Sequence, residues 1–160
     1  MSGDAPTPLA RALGRMPQGL YVVTTGTAEE PLGFVASLVQ QVGFEPPTVC
    51  VAVAKGRDHV EAMRAAGGFT VSILDGESSG LMGPFFSKRE DGSSPFDDLE
   101  TAAAPSGLPV LSGALAWLDC ELAGEHATGD HVVVFGRATA GELAREGDPS
   151  VHLRSNGLGY

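Results

Sequence analysis

In "TVCVAVA", residues 48–54, valines stand at alternate positions with small residues between them. That period of two, rich in β-branched side chains, predicts a buried strand. "LYVVTT" (20–25) and "FTVSIL" (69–74) have the same strand character. The longer run "ALAWLDCELAGEHATGDHVVVFGRATAGEL" (114–143) reads as two long antiparallel strands around the turn "EHATGDH". Between 32 and 44 lies "LGFVASLVQQVGF", whose centre "ASLVQQV" suits either a strand or a loop lined by small residues. A double proline, Pro46-Pro47, follows it.

Helical spacing is rarer. Leu9 and Leu13 of "PLARALGRM" share a face at i and i+4 before Pro17 and Gly19 stop the segment. "DHVEAMRAAGG" predicts a helix with Asp58 as N-cap, Glu61 completing a capping box, and Gly67-Gly68 ending it. "SSGLMGPFFSK" predicts a short helix broken at Gly83-Pro84, while "REDGSSP" and "PSGLPVLSG" read as loops. Strands therefore dominate, without the steady strand–helix alternation of a doubly wound sheet. The pattern predicts a mainly β fold, a closed or nearly closed barrel with short helical insertions. There is no internal repeat.

At 160 residues the chain fits one domain with a real core. Residues 1–10 are expected to be a flexible tail ahead of a single domain over 11–160. The formal net charge of -10 argues against nucleic acid, because a phosphate backbone needs a basic face. A small anion could still find a local cluster of cations. Cys50 and Cys120 each sit in apolar stretches and read as small buried hydrophobes, without a metal-ligand spacing. No basic region with an apolar core opens the chain, and no apolar run reaches the ~18 residues that span a membrane. The expectation is a cytoplasmic protein that does not enter membranes.

Chemistry concentrates at a few places. The strand over 48–54 ends at Ala54 and delivers Lys55, Gly56, Arg57 and His59 to a helix start, where unpaired N–H groups favour an anion. Solvated cations at an ordinary turn would look the same. "PFFSK" sets two aromatics beside Lys88; such a pair can wall a planar ligand or simply join the core. His131 opens a strand directly after a Gly-Asp turn, either to face a barrel mouth or to satisfy backbone groups. The histidine spacing suggests no metal site. GxGxxG, GxxxxGKS and GxSxG are all missing, so the hard chemistry of an enzyme here would come from a cofactor.

Taken in order, "LGRMPQGLYVVTT", "GFVASLVQQVGFEPPTVCVAVAKGRDHVEAM", "FTVSIL", "LPVLSGALAWLDCEL", "GDHVVVFGRA" and the closing "HLRSNGLGY" resemble the flavin reductase-like, FMN-binding split-barrel family. The resemblance runs from about Ala12 to Tyr160. It is greatest to the flavin reductase module of cyanobacterial diflavin flavoproteins.

The resemblance implies a split β-barrel that binds FMN, with FAD left open, and uses NAD(P)H as co-substrate. It implies that Ala36, Ser37, Leu38, Val39, Gln40 and Gln41 run along the isoalloxazine ring. Ala54, Lys55, Gly56, Arg57 and His59 would then meet the flavin phosphate, and Phe86, Ser87 and Lys88 would close another side. Relatives carry hydroxyl residues at the phosphate turn where this chain has Gly-Arg-Asp-His, so Arg57 and the helix start would have to compensate. His131 would contact the nicotinamide. The implied activity is NAD(P)H-dependent flavin reduction with onward delivery of electrons to a monooxygenase or another acceptor. The implied assembly is a homodimer, with Trp117 on the shared surface. The alternatives are a flavin carrier or electron-transfer protein with no NAD(P)H oxidation of its own, or a barrel that holds a deazaflavin; no histidine has an evident axial setting for haem.

Overall fold

The computed structural model of the protein describes residues 5–160. Among them, nine strands form: β1 (Tyr21–Gly26), β2 (Pro31–Ala36), β3 (Val39–Phe44), β4 (Pro47–Ala54), β5 (Gly68–Ile73), β6 (Thr101–Ala103), β7 (Pro109–Leu111), β8 (Ala116–Ala127) and β9 (His131–Leu143). Three short helices accompany them: α1 (Pro8–Leu13), α2 (His59–Ala66) and α3 (Gly83–Phe86). α1 begins inside the segment expected as tail, and its Ala10 is buried. Residues 1–4 lie outside the described residues.

Seven strands make one antiparallel sheet in the order β2-β1-β5-β8-β9-β4-β3, and β6 pairs with β7 beside it. The sheet's two edges, β2 and β3, are neighbours in the chain, with only Ser37 and Leu38 between them. Val23 and Phe34 near one edge share a buried cluster with Val49, Val51 and Val53 near the other, so the sheet curls around a common interior. Phe69, Met63 and Val134 fill that interior. This is the mainly β barrel that the alternating valines predict. No strand pairing joins β2 to β3 among the described residues, so the barrel opens along that seam. A second cluster lies outside it, where Val22 of β1 packs on Leu74 and Leu111, with Phe85 and Phe96 against them. β1 serves both clusters because successive side chains point to opposite faces.

Several local expectations change. "ASLVQQV" is strand, link and strand in succession. The segment "PSGLPVLSG", expected as a loop, contains β7, whose three residues are all buried; Pro109 opens the strand, and Gly107 and Gly113 bracket it. Asp58 makes no capping bond; Glu61, instead of reaching back to the helix start, pairs with Arg64, which also holds Glu125 of β8. The turn "EHATGDH" is tighter than it reads, since β8 continues through His126 and Ala127.

After β9 the chain turns back along the barrel. Arg145 pairs with Asp75 at 2.6 Å and donates to the Gly113 and Ala114 carbonyls. The Ser78 hydroxyl, and then Arg145, hold the Asp75 carboxyl down to about 2. Ser150 donates to the Leu74 carbonyl, and Gln18 and His152 form a two-way backbone bridge. These ties lead the tail to α1, where two glycines let backbone meet backbone. A Cβ on Gly14 would lie 2.3 Å from the Arg154 carbonyl oxygen, and one on Gly157 would lie 2.3 Å from the Leu13 Cβ.

Among the buried side-chain groups without a hydrogen-bond partner is a hydroxyl of the barrel. Thr24 of β1 is 0 % exposed and its hydroxyl makes no hydrogen bond. Thr24→Val keeps the shape and removes the desolvated hydroxyl, so it is expected to raise stability by about 1 kcal/mol, read from the urea midpoint.

Candidate functional site

A cleft of about 680 Å³ opens where the seam between β2 and β3 meets the end of β4. That size lies within the roughly 300–1,000 Å³ typical of small-molecule sites. One wall is backbone and small side chains: Gly33 to Ala36 of β2, the link Ser37 and Leu38, and Ala52 to Ala54 of β4. β2 is a sheet edge, so every second residue turns its N–H and C=O away from β1 toward the opening. Aromatic side chains, Phe85 and Phe86, also border the cleft. Phe85 packs edge-on against Phe96 at 5.5 Å, and both rings lie over Gly33, where a Cβ would come within 2.6 Å of Phe96. Phe86, beside them, is 73 % exposed at the rim.

At one end of the cleft stand Arg57 and His59, where β4 passes into α2. Gly56 makes this turn with φ +84, a conformation that glycine adopts without strain. Because Asp58 leaves the helix uncapped, the first-turn N–H groups of α2 stay open to an anion. Neither ring nitrogen of His59 has a hydrogen-bond partner, although both are buried. The ring packs against Phe34 at 4.5 Å, and burial, only partly opposed by the nearby Gly33 carbonyl, pushes its pKa down. A neutral imidazole with two unsatisfied nitrogens on the cleft wall suits a polar ligand group.

At the other end the tail supplies His152, Arg154 and Tyr160. The Arg154 guanidinium donates to the Ser37 hydroxyl and lies 4.8 Å over the Tyr160 ring. Beyond them a second cleft of about 380 Å³ shares Leu38, Arg154 and Tyr160 with the first and contains His131. His131 opens β9 opposite Ala54 of β4. Its Nδ1 is 2.7 Å from the Asp130 carboxylate, and its Nε2 is 2.7 Å from the Tyr160 hydroxyl. A carboxylate only accepts, so Nδ1 is the donor, and in the neutral ring Nε2 accepts from Tyr160. The bond from His131 holds Asp130 below the usual carboxylate range.

Of the residues that the sequence points to, Ala36, Ser37, Leu38, Ala54, Arg57, His59 and Phe86 line the main cleft. The others stand elsewhere. Val39 packs against the barrel interior, and the exposed Gln40 and Gln41 bond to nearby backbone on β3. Lys55 turns away from the cleft because its ammonium clamps the Thr128 and Gly129 carbonyls, at 2.8 and 3.0 Å. It thereby braces the turn that carries His131. Gly56 shapes the turn into α2 without lining the cleft. Ser87 donates to the Gly83 carbonyl at the end of α3, and Lys88 is exposed in solvent. His131 sits next door in the second cleft. Sequence reasoning missed the tail residues Arg154 and Tyr160; their signal was the glycine-spaced "RSNGLGY".

Charge is distributed unevenly. Arg64, Arg89, Arg137 and Arg145 are paired with carboxylates. Arg11, Arg15, Lys55, Arg57, Lys88 and Arg154 have no carboxylate partner among the described residues, and of these Arg57 and Arg154 line the main cleft. Against a net charge of -10, the cleft thus carries two uncompensated cations.

The chain belongs to the flavin reductase like domain family, whose sequence profile matches residues 13–157. It is 37% identical over 154 residues to Diflavin flavoprotein A 1 of Synechocystis sp. (strain ATCC 27184 / PCC 6803 / Kazusa), covering 95% of this chain and 27% of that protein. The chain thus spans about a quarter of the length of such diflavin relatives. Among solved structures, Streptomyces globisporus C-1027 NADH:FAD oxidoreductase SgcE6 superposes with a TM-score of 0.80 at 28% identity, covering 92% of both chains. The styrene monooxygenase flavin reductase SMOB of Pseudomonas putida S12 gives 0.75 at 30% identity, over 92% of this chain and 93% of that one.

Proposed function

We propose that the protein is an NAD(P)H-dependent flavin reductase that holds FMN in the seam cleft and receives the nicotinamide in the His131 pocket. The observation that carries this reading is that the two clefts adjoin, with Leu38, Arg154 and Tyr160 as their common wall, so that two ligands would bind next to each other. SgcE6 has also been solved in complex with NAD and FAD fragments, which supports a paired site here.

The residues fit a flavin. The open edge of β2 suits the polar rim of a planar ring, Phe85 and Phe86 suit its face, and Arg57, His59 and the uncapped start of α2 suit a phosphate. When bound, the flavin supplies the acceptor for a hydride. The protein's own part is positioning. Asp130 fixes the His131 tautomer and leaves Nε2 directed into the pocket. Lys55 steadies the turn, and the small residues Ala36, Ser37, Ala52 and Ala54 leave space for close stacking, which hydride transfer requires.

Arg57→Ala is expected to raise the Kd for FMN about 10- to 100-fold, the loss of one charge-assisted contact, measured by quenching of flavin fluorescence. The reading itself is tested anaerobically: FMN and then NADH are added to the protein and the flavin absorbance is followed. Rapid bleaching is expected. FMN that binds yet stays oxidised would leave a flavin carrier in its place.

A homodimer completes the proposal, since Val42 and Phe44 of β3 and Val151, Leu153 and Leu158 of the tail are exposed apolar residues that a second copy would cover. The free thiols of Cys50 and Cys120 suit a reducing cytoplasm, and among the described residues no helix is long and apolar enough to cross a membrane. A partner monooxygenase is the proposed acceptor of the reduced flavin.

A further inference from the structure

The tail reaches the His131 ring through one hydrogen bond, made by Tyr160. Its hydroxyl lies 2.7 Å from Nε2, the nitrogen that faces the pocket, while the other nitrogen is committed to Asp130. The His131 side chain is 15% exposed, whereas Tyr160 is 80% exposed. A well-covered imidazole is therefore lidded by a residue that is itself largely in solvent. The lid is fixed firmly at its base and lightly at its tip. At the base, Gly157 donates to the Ala10 carbonyl at 2.9 Å and Arg15 donates to the Arg154 carbonyl at 2.8 Å. At the tip there is the bond to His131 and the Arg154 guanidinium over the ring. The same two side chains form the partition between the two clefts.

We infer that residues 158–160 are a gate between the clefts, hinged on the anchored Gly157, and that Tyr160 is its latch on His131. The inference rests on the reading of His131 as the nicotinamide contact. With the latch shut, Nε2 is satisfied by Tyr160 and the partition separates the nicotinamide pocket from the flavin cleft. A nicotinamide carboxamide that bonds Nε2 must take the place of the tyrosine hydroxyl. The exchange swaps one hydrogen bond for another, and the exposed ring swings into solvent. Closed molecules do not bind nucleotide, so the apparent affinity is reduced by the fraction of molecules that are open.

The test uses the full chain with FMN and the variant Tyr160→Phe, which keeps the ring over Arg154 and deletes the latch hydroxyl. Two readouts are taken. The first is carbethoxylation of His131 by diethyl pyrocarbonate, followed by peptide mass spectrometry so that His59, His126 and His152 are resolved separately. The second is the steady-state KM for NADH. The gate predicts that His131 is modified about 2- to 10-fold faster in the variant and that KM falls by a similar factor, the range of one net hydrogen bond. The change in kcat is expected to be smaller than the change in KM. Equal or slower modification of His131 overturns the gate, as does a KM that is unchanged or raised. If the unaltered protein oxidises no NADH in the presence of FMN, the reductase reading falls instead. The modification rates still decide the latch in that case, because they need no turnover.

Discussion

Replacing His131 with alanine is expected to cut NADH-dependent reduction of FMN by about 100-fold while FMN affinity stays within about twofold. The asymmetry follows from geometry. His131 lies in the second cleft and does not line the main one, so its loss leaves the proposed flavin walls in place. What disappears is the fixed Nε2 that orients the nicotinamide, and a misplacement of about 1 Å between reacting atoms is worth about 100-fold. Stopped-flow bleaching of the flavin and a fluorescence titration of FMN on the same preparation check both halves. An equal fall in both would place His131 in flavin binding, and no fall in either would make it an ordinary turn residue.

The largest expected effect on stability belongs to Phe69→Ala. Phe69 is 0 % exposed at the centre of the barrel, and its ring occupies the space left by Gly136 of β9, where a Cβ would lie 2.5 Å from the ring tip. The large residue on β5 and the absent side chain on β9 are thus one packing unit, with Cys120 of β8 against it. Deleting the ring leaves a cavity that strands on either side cannot collapse into, because both are held in the sheet. A loss of about 3–5 kcal/mol is expected, a large share of the roughly 5–15 kcal/mol that holds a domain folded. The midpoint of urea unfolding measures it, with an unchanged slope. A second readout is the Cys120 thiol, which burial pushes up to about 12. It should react with a thiol reagent far faster once the ring is gone.

Much of the barrel is legible in the chain because alternation is a local property. Val49, Val51 and Val53 announce their buried face wherever the strand ends up, and Gly67 ends α2 as its left-handed conformation requires, at φ +71. The double proline marks the start of β4. What could not be read is direction. Lys55 and Arg57 are two residues apart at one turn, yet one clamps the carbonyls of a distant hairpin and the other borders the cleft. No pattern in the sequence separates them, because the choice depends on where β9 lies. Val39, Gln40 and Gln41 continue the segment from Leu38, but the chain enters β3 there and leaves the cleft. The tail was the largest omission. Arg154 and Tyr160 reach the site through contacts with Ser37 and His131, 117 and 29 residues away; the glycine-spaced "RSNGLGY" marks a closely packed segment but not what it packs against.

The docking of Gly157 and Gly14 has a consequence for how the protein is made. The bond from Arg15 to the Arg154 carbonyl spans 139 residues, nearly the whole chain, so the loop it closes is among the longest that the molecule can form. Contacts of such separation form late in folding. The wall they build is the wall with Arg154 and Tyr160, so that end of the cleft takes shape only once two segments 139 residues apart have docked. A ligand that bears on this wall thus selects molecules in which the long-range docking is complete.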